Sequence, residues 1–206
     1  MLPLGCRVAS ATVDAPLTDY RWRWHAADFE AAAAAGVFGS DAKVELWDGE
    51  VLAVPSMLPG HAEAVGTLCQ HAFRLDETIW SVGSQVPVRL SDVSEPEPDL
   101  WVARGRRGSF WGRHPGPAEL VLVVEVADSS LSLDRDVKIP GYAAAGVPEA
   151  WLLSLPERLL TVHRHPLPDA HRYQSVAVLE PAATVTHEAT GLAIPVGELL
   201  PPVASP

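Results

Sequence analysis

The chain has 206 residues, 48% of them apolar, and a formal net charge of −11, which is length and composition enough for one globular domain with a full core and excludes a disordered chain. No apolar run reaches the roughly 20 residues that cross a bilayer, and the start, with Pro3 and Gly5 interrupting a short apolar stretch, makes a poor signal peptide, so a cytoplasmic protein with no membrane partner is expected. The acidity argues against a protein that coats DNA non-specifically, because such binding rests on lysines and arginines at the phosphates; a nuclease stays open, since carboxylates that hold a divalent cation carry uncompensated charge until the ion binds.

Residues 1–20 show no period and read as a loose arm, ahead of a single domain over residues 21–206. Residues 26–35 are alanine-rich and stop at Gly36, a short helix with a glycine end signal. Lys43-Val44-Glu45-Leu46-Trp47, Asp48-Gly49 and Glu50-Val51-Leu52-Ala53-Val54 form a β-hairpin pattern, Asp-Gly being the strongest short hairpin signal. Ala64, Val65, Leu68, Ala72 and Leu75 recur at helical spacing, so residues 61–77 are expected to be a helix. Strands are expected at about 80–90 and 100–103. Leu120-Val121-Leu122-Val123-Val124-Glu125-Val126 reads as a central strand buried on both faces. Residues 134–145 are helix-like, with a kink or a start near Pro140. Further strands follow at 150–155, 159–163 and 173–179, then two short strands and a turn between 184 and 200. The order gives an α/β fold: a central mixed sheet flanked by helices, with antiparallel hairpin additions.

Three residues carry the chemistry. Glu125 interrupts an otherwise apolar core strand, where a carboxylate is costly unless it is paired or binds a metal. Asp99 follows Pro98 at the beginning of a strand, where its side chain can face a cleft. If the two strands are neighbours, both carboxylates converge on one hard cation, Mg²⁺ first and Mn²⁺ as the substitute. Lys138 and Lys43 are the only lysines beside thirteen arginines, so Lys138 stands where a compact ammonium is required and a guanidinium will not serve.

Here the chain resembles a known family. Glu45-Leu46-Trp47-Asp48-Gly49-Glu50, the Pro55-Ser56 loop before His61, Pro98-Asp99, Val124-Glu125-Val126 with Ser129-Ser130, Asp134-Arg135-Asp136-Val137-Lys138, Tyr142-Ala143 and Gly146-Val147-Pro148-Glu149-Ala150-Trp151 together resemble the Uma family of putative restriction endonucleases, within the PD-(D/E)xK nuclease superfamily. The resemblance covers about residues 25–200. It implies a restriction-endonuclease-like fold, a DNA substrate, and a metal held by Asp99, Glu125 and the backbone carbonyl of Val126, with Glu45 as a further acidic ligand. The superfamily lysine two residues after the Glu is Ala127 here; the family carries its lysine on the following helix instead, which is Lys138. A homodimer is expected, since cutting two strands is simplest with two related sites.

Other residues have plainer readings beside functional ones. His61 opens a helix after a Pro/Ser/Gly loop and either contacts substrate or serves structure. Arg104, Arg106 and Arg107, with Arg113 and His114 among several glycines, are a solvated loop or a phosphate-gripping one. Asp134 and Asp136 read as helix-start acids that favour the dipole. His163, His165 and His171 lack a fourth ligand for zinc, Ser129-Ser130 lacks an Asp/His relay, and Cys6 and Cys69 read as free thiols. The alternative to an enzyme is a nuclease-fold module with weak or no turnover that binds nucleic acid or protein.

Overall fold

The computed structural model describes residues 21–39, 42–55 and 57–202; the arm expected over residues 1–20, with Cys6, lies outside them. A six-stranded mixed sheet organises the chain, in the order β3 (Trp80–Gly83), β4 (Leu100–Arg104), β5 (Leu120–Ala127), β6 (Glu149–Ser154), β7 (Leu159–Leu167), β8 (Arg172–Leu179). All neighbours are antiparallel except β5 and β6. That single parallel pair needs a crossover, which residues 131–144 supply. α1 (Ala26–Ala34) and the hairpin of β1 (Val44–Trp47) and β2 (Glu50–Ala53) precede the sheet, and α2 (Pro59–Ala72) joins them to it. A hairpin of β9 (Thr184–His187) and β10 (Leu192–Pro195) closes the fold with a 3₁₀ turn at Val196–Leu199.

All eight residues of β5 are buried, as the apolar run requires. On one face α2 and the C-terminal hairpin press Leu68, Ala72, Ile194 and Leu199 against Val124 and Val126. On the other, Ile139, Tyr142 and Ala143 pack with Val123, Ala127 and Trp47. Among the described residues no helix is long and apolar enough to cross a membrane.

Four expected elements differ in extent, one being the strand expected over 159–163, which runs on to Leu167 as β7. The helix expected over 61–77 is α2, which begins two residues earlier and ends at Ala72. The strand expected over 80–90 stops at Gly83, because Gln85 takes a left-handed φ of 52° that leaves the extended region. The helix expected near 134–145 is built of α3 (Leu131–Leu133), a π-helical turn at Asp134–Lys138 and α4 (Ile139–Ala144). Pro140 falls in the first turn of α4, where a missing N–H is tolerated, so the irregularity is a widened turn before the proline.

The approach of α4 to the first hairpin depends on Gly141. A Cβ there would lie 2.3 Å from the Trp47 ring, which packs edge-on to Tyr142 with centroids 5.5 Å apart. Gly141→Ala should therefore cost about 1–3 kcal/mol by overpacking. Gly66, inside α2, has nothing within 4 Å of an added Cβ, and Gly66→Ala should gain about 0.5–1 kcal/mol from lower backbone entropy. Urea unfolding of both variants tests the pair; no loss in Gly141→Ala would mean that α4 is not set by this contact.

Candidate active site

Strand parity decides which way the acids point. Val123 and Ala127 pack toward α4, and Glu125 lies between them on the same face. Leu100 pairs with Val124 and Trp101 with Val123. One further step of that antiparallel register sets Asp99 directly across from Glu125, a pairing that brings Cβ atoms to about 4.5–5.5 Å. Two residues 26 positions apart in the chain are thus neighbours because β4 and β5 are.

The second half of the site is a buried lysine enclosed by acids. Lys138 is 3% exposed. Its ammonium donates to Glu45 Oε1 at 3.0 Å and Glu125 Oε2 at 3.3 Å, and lies 3.7 Å from Asp134 Oδ1. Each acid has a further donor: Trp47 Nε1 to Glu45 Oε2 at 2.9 Å, Tyr142 Oη to Glu125 Oε1 at 2.5 Å and Ser130 Oγ to Asp134 Oδ2 at 2.5 Å. Burial disfavours the ammonium, but Glu125, Glu45 and Asp134 outweigh it and hold Lys138 protonated, above its ordinary pKa. Burial pushes the Glu125 carboxyl well above the ordinary range; Lys138 opposes this, while Asp99, Asp134 and Glu45 add to it. Burial raises Asp134 as well.

Asp99 is clamped on both oxygens. Oδ2 accepts the Val126 N–H at 2.8 Å and faces His61 Nε2 at 3.1 Å, and Oδ1 accepts the Gln85 amide at 3.3 Å. Burial opposes its charge, but His61, the Val126 amide and Lys138 prevail and hold the carboxyl below its ordinary value. The left-handed Gln85 backbone, with its N–H on the Pro98 carbonyl at 3.1 Å, is what aims that amide; strained backbone of this kind gathers at ligand sites.

These groups line a cavity of about 90 Å³ that His61, Gln85, Val126 and Ser130 share with them, and Glu97, Asp128 and Lys43 bring its lining to six carboxylates and two lysines. Among the described residues, His61 Nδ1 is the one buried side-chain polar atom without a partner. The donor set suits a divalent cation: hard oxygens, and six carboxylates against two ammoniums along the cavity lining.

The structure thus brings Asp99, Glu125, Val126, Glu45, Lys138 and His61 together. Arg104 lies elsewhere, at the far end of β4, with Arg106 and Arg107 just beyond it, roughly 15 Å from Asp99 by strand rise. Asp134 is not a dipole-stabilising surface acid but a buried member of the lysine's enclosure, and Tyr142 is the hydroxyl that steadies Glu125. Both were marked in the sequence: Asp134, Lys138 and Tyr142 recur every four residues, one stripe of a helical segment. Nothing in the sequence marks Gln85. His163, one of the three late histidines, packs on Tyr173 with centroids 5.7 Å apart, and burial lowers its pKa to about 4.

A family model named Uma2, described as "Putative restriction endonuclease", matches residues 26–197. A search of curated proteins finds no match. Among solved structures, one described as a putative nuclease belonging to DUF820 from Anabaena variabilis superposes with a TM-score of 0.60 at 17% identity, covering 78% of this chain and 90% of that one. At that identity the likeness bears on the fold, and it agrees with the six-stranded mixed sheet.

Removing the ammonium should expose what it holds together. Lys138→Met should destabilise the protein by about 3–5 kcal/mol, the cost of stranding buried charges. Combined with Glu125→Gln, the loss should be smaller than the sum of the two single effects. Urea unfolding at neutral pH of the four members of this cycle measures the coupling; strict additivity would mean that Lys138 and Glu125 do not interact.

Proposed function

The chain belongs to the Uma2 family, and from that premise we propose that it is a metal-dependent endonuclease, hydrolysing phosphodiester bonds of DNA at the Asp99–Glu125–Lys138 cavity. The observation that carries the reading is the convergence of Asp99 and Glu125 on one cavity, beside a lysine hydrogen-bonded to Glu125 at 3.3 Å. Asp99, Glu125 and the Val126 carbonyl would hold the cation. Bound there, Mg²⁺ or Mn²⁺ supplies Lewis-acid polarisation of the phosphate and offsets the charge that develops in the transition state. Glu45 would add a further acidic ligand, and it also holds Lys138 through Oε1.

Lys138 remains protonated and serves as a fixed positive charge beside the phosphate, not as a proton acceptor. His61 orients Asp99 through Nε2 and leaves Nδ1 for a water or a phosphate oxygen. Tyr142 fixes the rotamer of Glu125, the second layer that makes a metal ligand well aimed. The competing reading, a module that binds without cutting, draws on the same enclosure: an ammonium tied to three acids is poorly placed to act on a substrate unless one of them turns to the cation.

Calorimetric titration of Mg²⁺ and Mn²⁺ should show a site in the parent protein that Asp99→Ala and Glu125→Ala lose while remaining folded. Nicking of supercoiled plasmid should require the cation and vanish in the same variants. Tyr142→Phe should keep the fold and lower nicking by about 10- to 100-fold, as loss of an outer-layer partner does. Metal binding without nicking would move the assignment to another phosphate ester or to the binding module; no metal binding in the parent would sink the site.

A further inference from the structure

Next to the catalytic cavity lies a second, larger feature that the reading above leaves unused. A groove of about 730 Å³ runs along the edge strand β3, lined by Trp80, Val86, Arg107, Phe110, Trp111 and Arg113 among others. It begins where the cavity ends: Gln85 lines the cavity, while its neighbours Ser84 and Val86 line the groove. Its far wall is the loop over residues 105–116, which carries a tryptophan 93% exposed, Trp111. Phe73, Ile79 and Val86 add further exposed apolar surface on this side.

The loop is anchored, not loose. Gly105 N–H donates to the Ile79 carbonyl at 3.0 Å and Arg107 N–H to the Glu77 carbonyl at 2.8 Å. Ser81 Oγ reaches the carbonyls of Gly105 and Arg106 at 3.0 and 2.9 Å. Phe110 packs edge-on to Trp101 with centroids 6.0 Å apart. Gly105 and Gly108 supply the positive φ values, 135° and 89°, that turn the chain back and leave Trp111 at the tip. An anchored loop that holds an indole in water marks a contact surface.

Charge says what the contact is. In a chain of net charge −11, Arg107 and Arg113 line this groove, and Arg106 is an exposed residue of the same loop. Arg104 lies over the Trp80 ring at 5.5 Å and Arg113 over Phe110 at 5.1 Å. Arg107 and Arg113 meet Glu77 and Glu119 only in exposed pairs, which are weak enough to exchange for phosphate. Arg106 has no ion pair among the described residues. Aromatic faces interleaved with arginines are the arrangement that takes up unpaired bases and their phosphates. A second copy of the chain fits less well, since a two-fold contact through this patch sets arginines against arginines.

We propose that this groove and loop bind an unpaired segment of nucleic acid, with Trp111 stacked on a base and Arg106 on a phosphate, and pass the strand along β3 to the cavity. This rests on the nuclease reading and names its substrate class: a strand with exposed bases, such as a flap, bubble or overhang, in preference to continuous duplex.

The test is fluorescence anisotropy of labelled oligo(dT) and of a labelled duplex of equal length, in EDTA so that cleavage plays no part. The parent should prefer oligo(dT). Trp111→Ala should weaken that binding by about tenfold, and Trp111→Phe should retain most of it. Arg106→Ala should reduce the salt dependence of log K by about 0.7 for one lost phosphate contact. Equal or tighter duplex binding, an affinity unmoved by Trp111→Ala, or a parent dimer that this variant turns to monomer in light scattering would each overturn the proposal. Metal binding and nicking with oligo(dT) affinity unmoved by Trp111→Ala would remove the loop alone. A parent that binds oligo(dT) through Trp111 but takes up no metal would remove the nuclease reading alone.

Discussion

One ammonium holds three separate parts of the chain in register. Lys138 reaches Glu45 on β1, Glu125 on β5 and Asp134 a turn earlier on its own helical segment, so the first hairpin, the central strand and the crossover meet at a single charge. Each buried carboxylate would be costly alone, and each is made tolerable by the cation and one neutral donor. The arrangement does not neutralise itself: Asp99, Glu97 and Asp128 bring further acids to the same cavity, against one further lysine, Lys43. A protein under no functional demand would fill such a place with Leu or Ile at no electrostatic cost, as the rest of β5 does. The surplus of negative charge is therefore the part of the structure that most needs an explanation, and a divalent cation supplies one.

How much of this was legible beforehand follows from how local each signal is. The Asp48-Gly49 turn and the unbroken apolar run of β5 are determined by neighbouring residues, and both elements were read correctly. The acid within β5 pointed to the site for the same reason: Glu125 contradicts its own surroundings. Strand β3 was overextended because Val86, Val88 and Leu90 alternate like a strand, while the left-handed turn at Gln85 depends on a tertiary demand, the amide it presents to Asp99. Asp134 reads as a dipole-stabilising acid in the sequence because a helix-start acid and a buried ion partner look alike until β1 and β5 are packed around the segment. The cross-strand placement of Asp99 and Glu125 rests on β4 and β5 pairing antiparallel, which sequence spacing alone does not dictate.

Charge is divided between two zones of one surface. The cavity is acidic and closed, suited to a cation; the adjoining groove is arginine-lined and apolar, suited to a strand of bases. Gln85 stands at the boundary, its side chain facing the acids and its neighbours facing the groove. A net charge of −11 repels nucleic acid at long range, so the proposed recognition would depend on short-range stacking and on a few arginines rather than on a broad basic face. On the reading proposed above, such a surface would discriminate against featureless duplex, whose bases are hidden and whose phosphates alone give it little to hold.

The lysine position that the sequence resemblance implies, two residues after Glu125, is closed in this chain by the packing of β5. Position 127 is on the same face as Glu125, and a lysine there would point toward the same acids. In this chain that face is covered by α4: Ala127 is fully buried with Ile139, Tyr142 and Ala143, and a four-carbon side chain would push the helix away. The widened turn at Asp134–Lys138 instead directs the lysine inward from the helix side, and the space saved at 127 lets Tyr142 approach Glu125 to 2.5 Å. The exchange couples the two changes. A small residue at 127 is what permits the helix to come close, and a close helix is what allows Lys138 and Tyr142 to reach the carboxylate together. Moving the lysine back to position 127 would therefore do more than relocate a charge, because it would separate Glu125 from the hydroxyl that aims it.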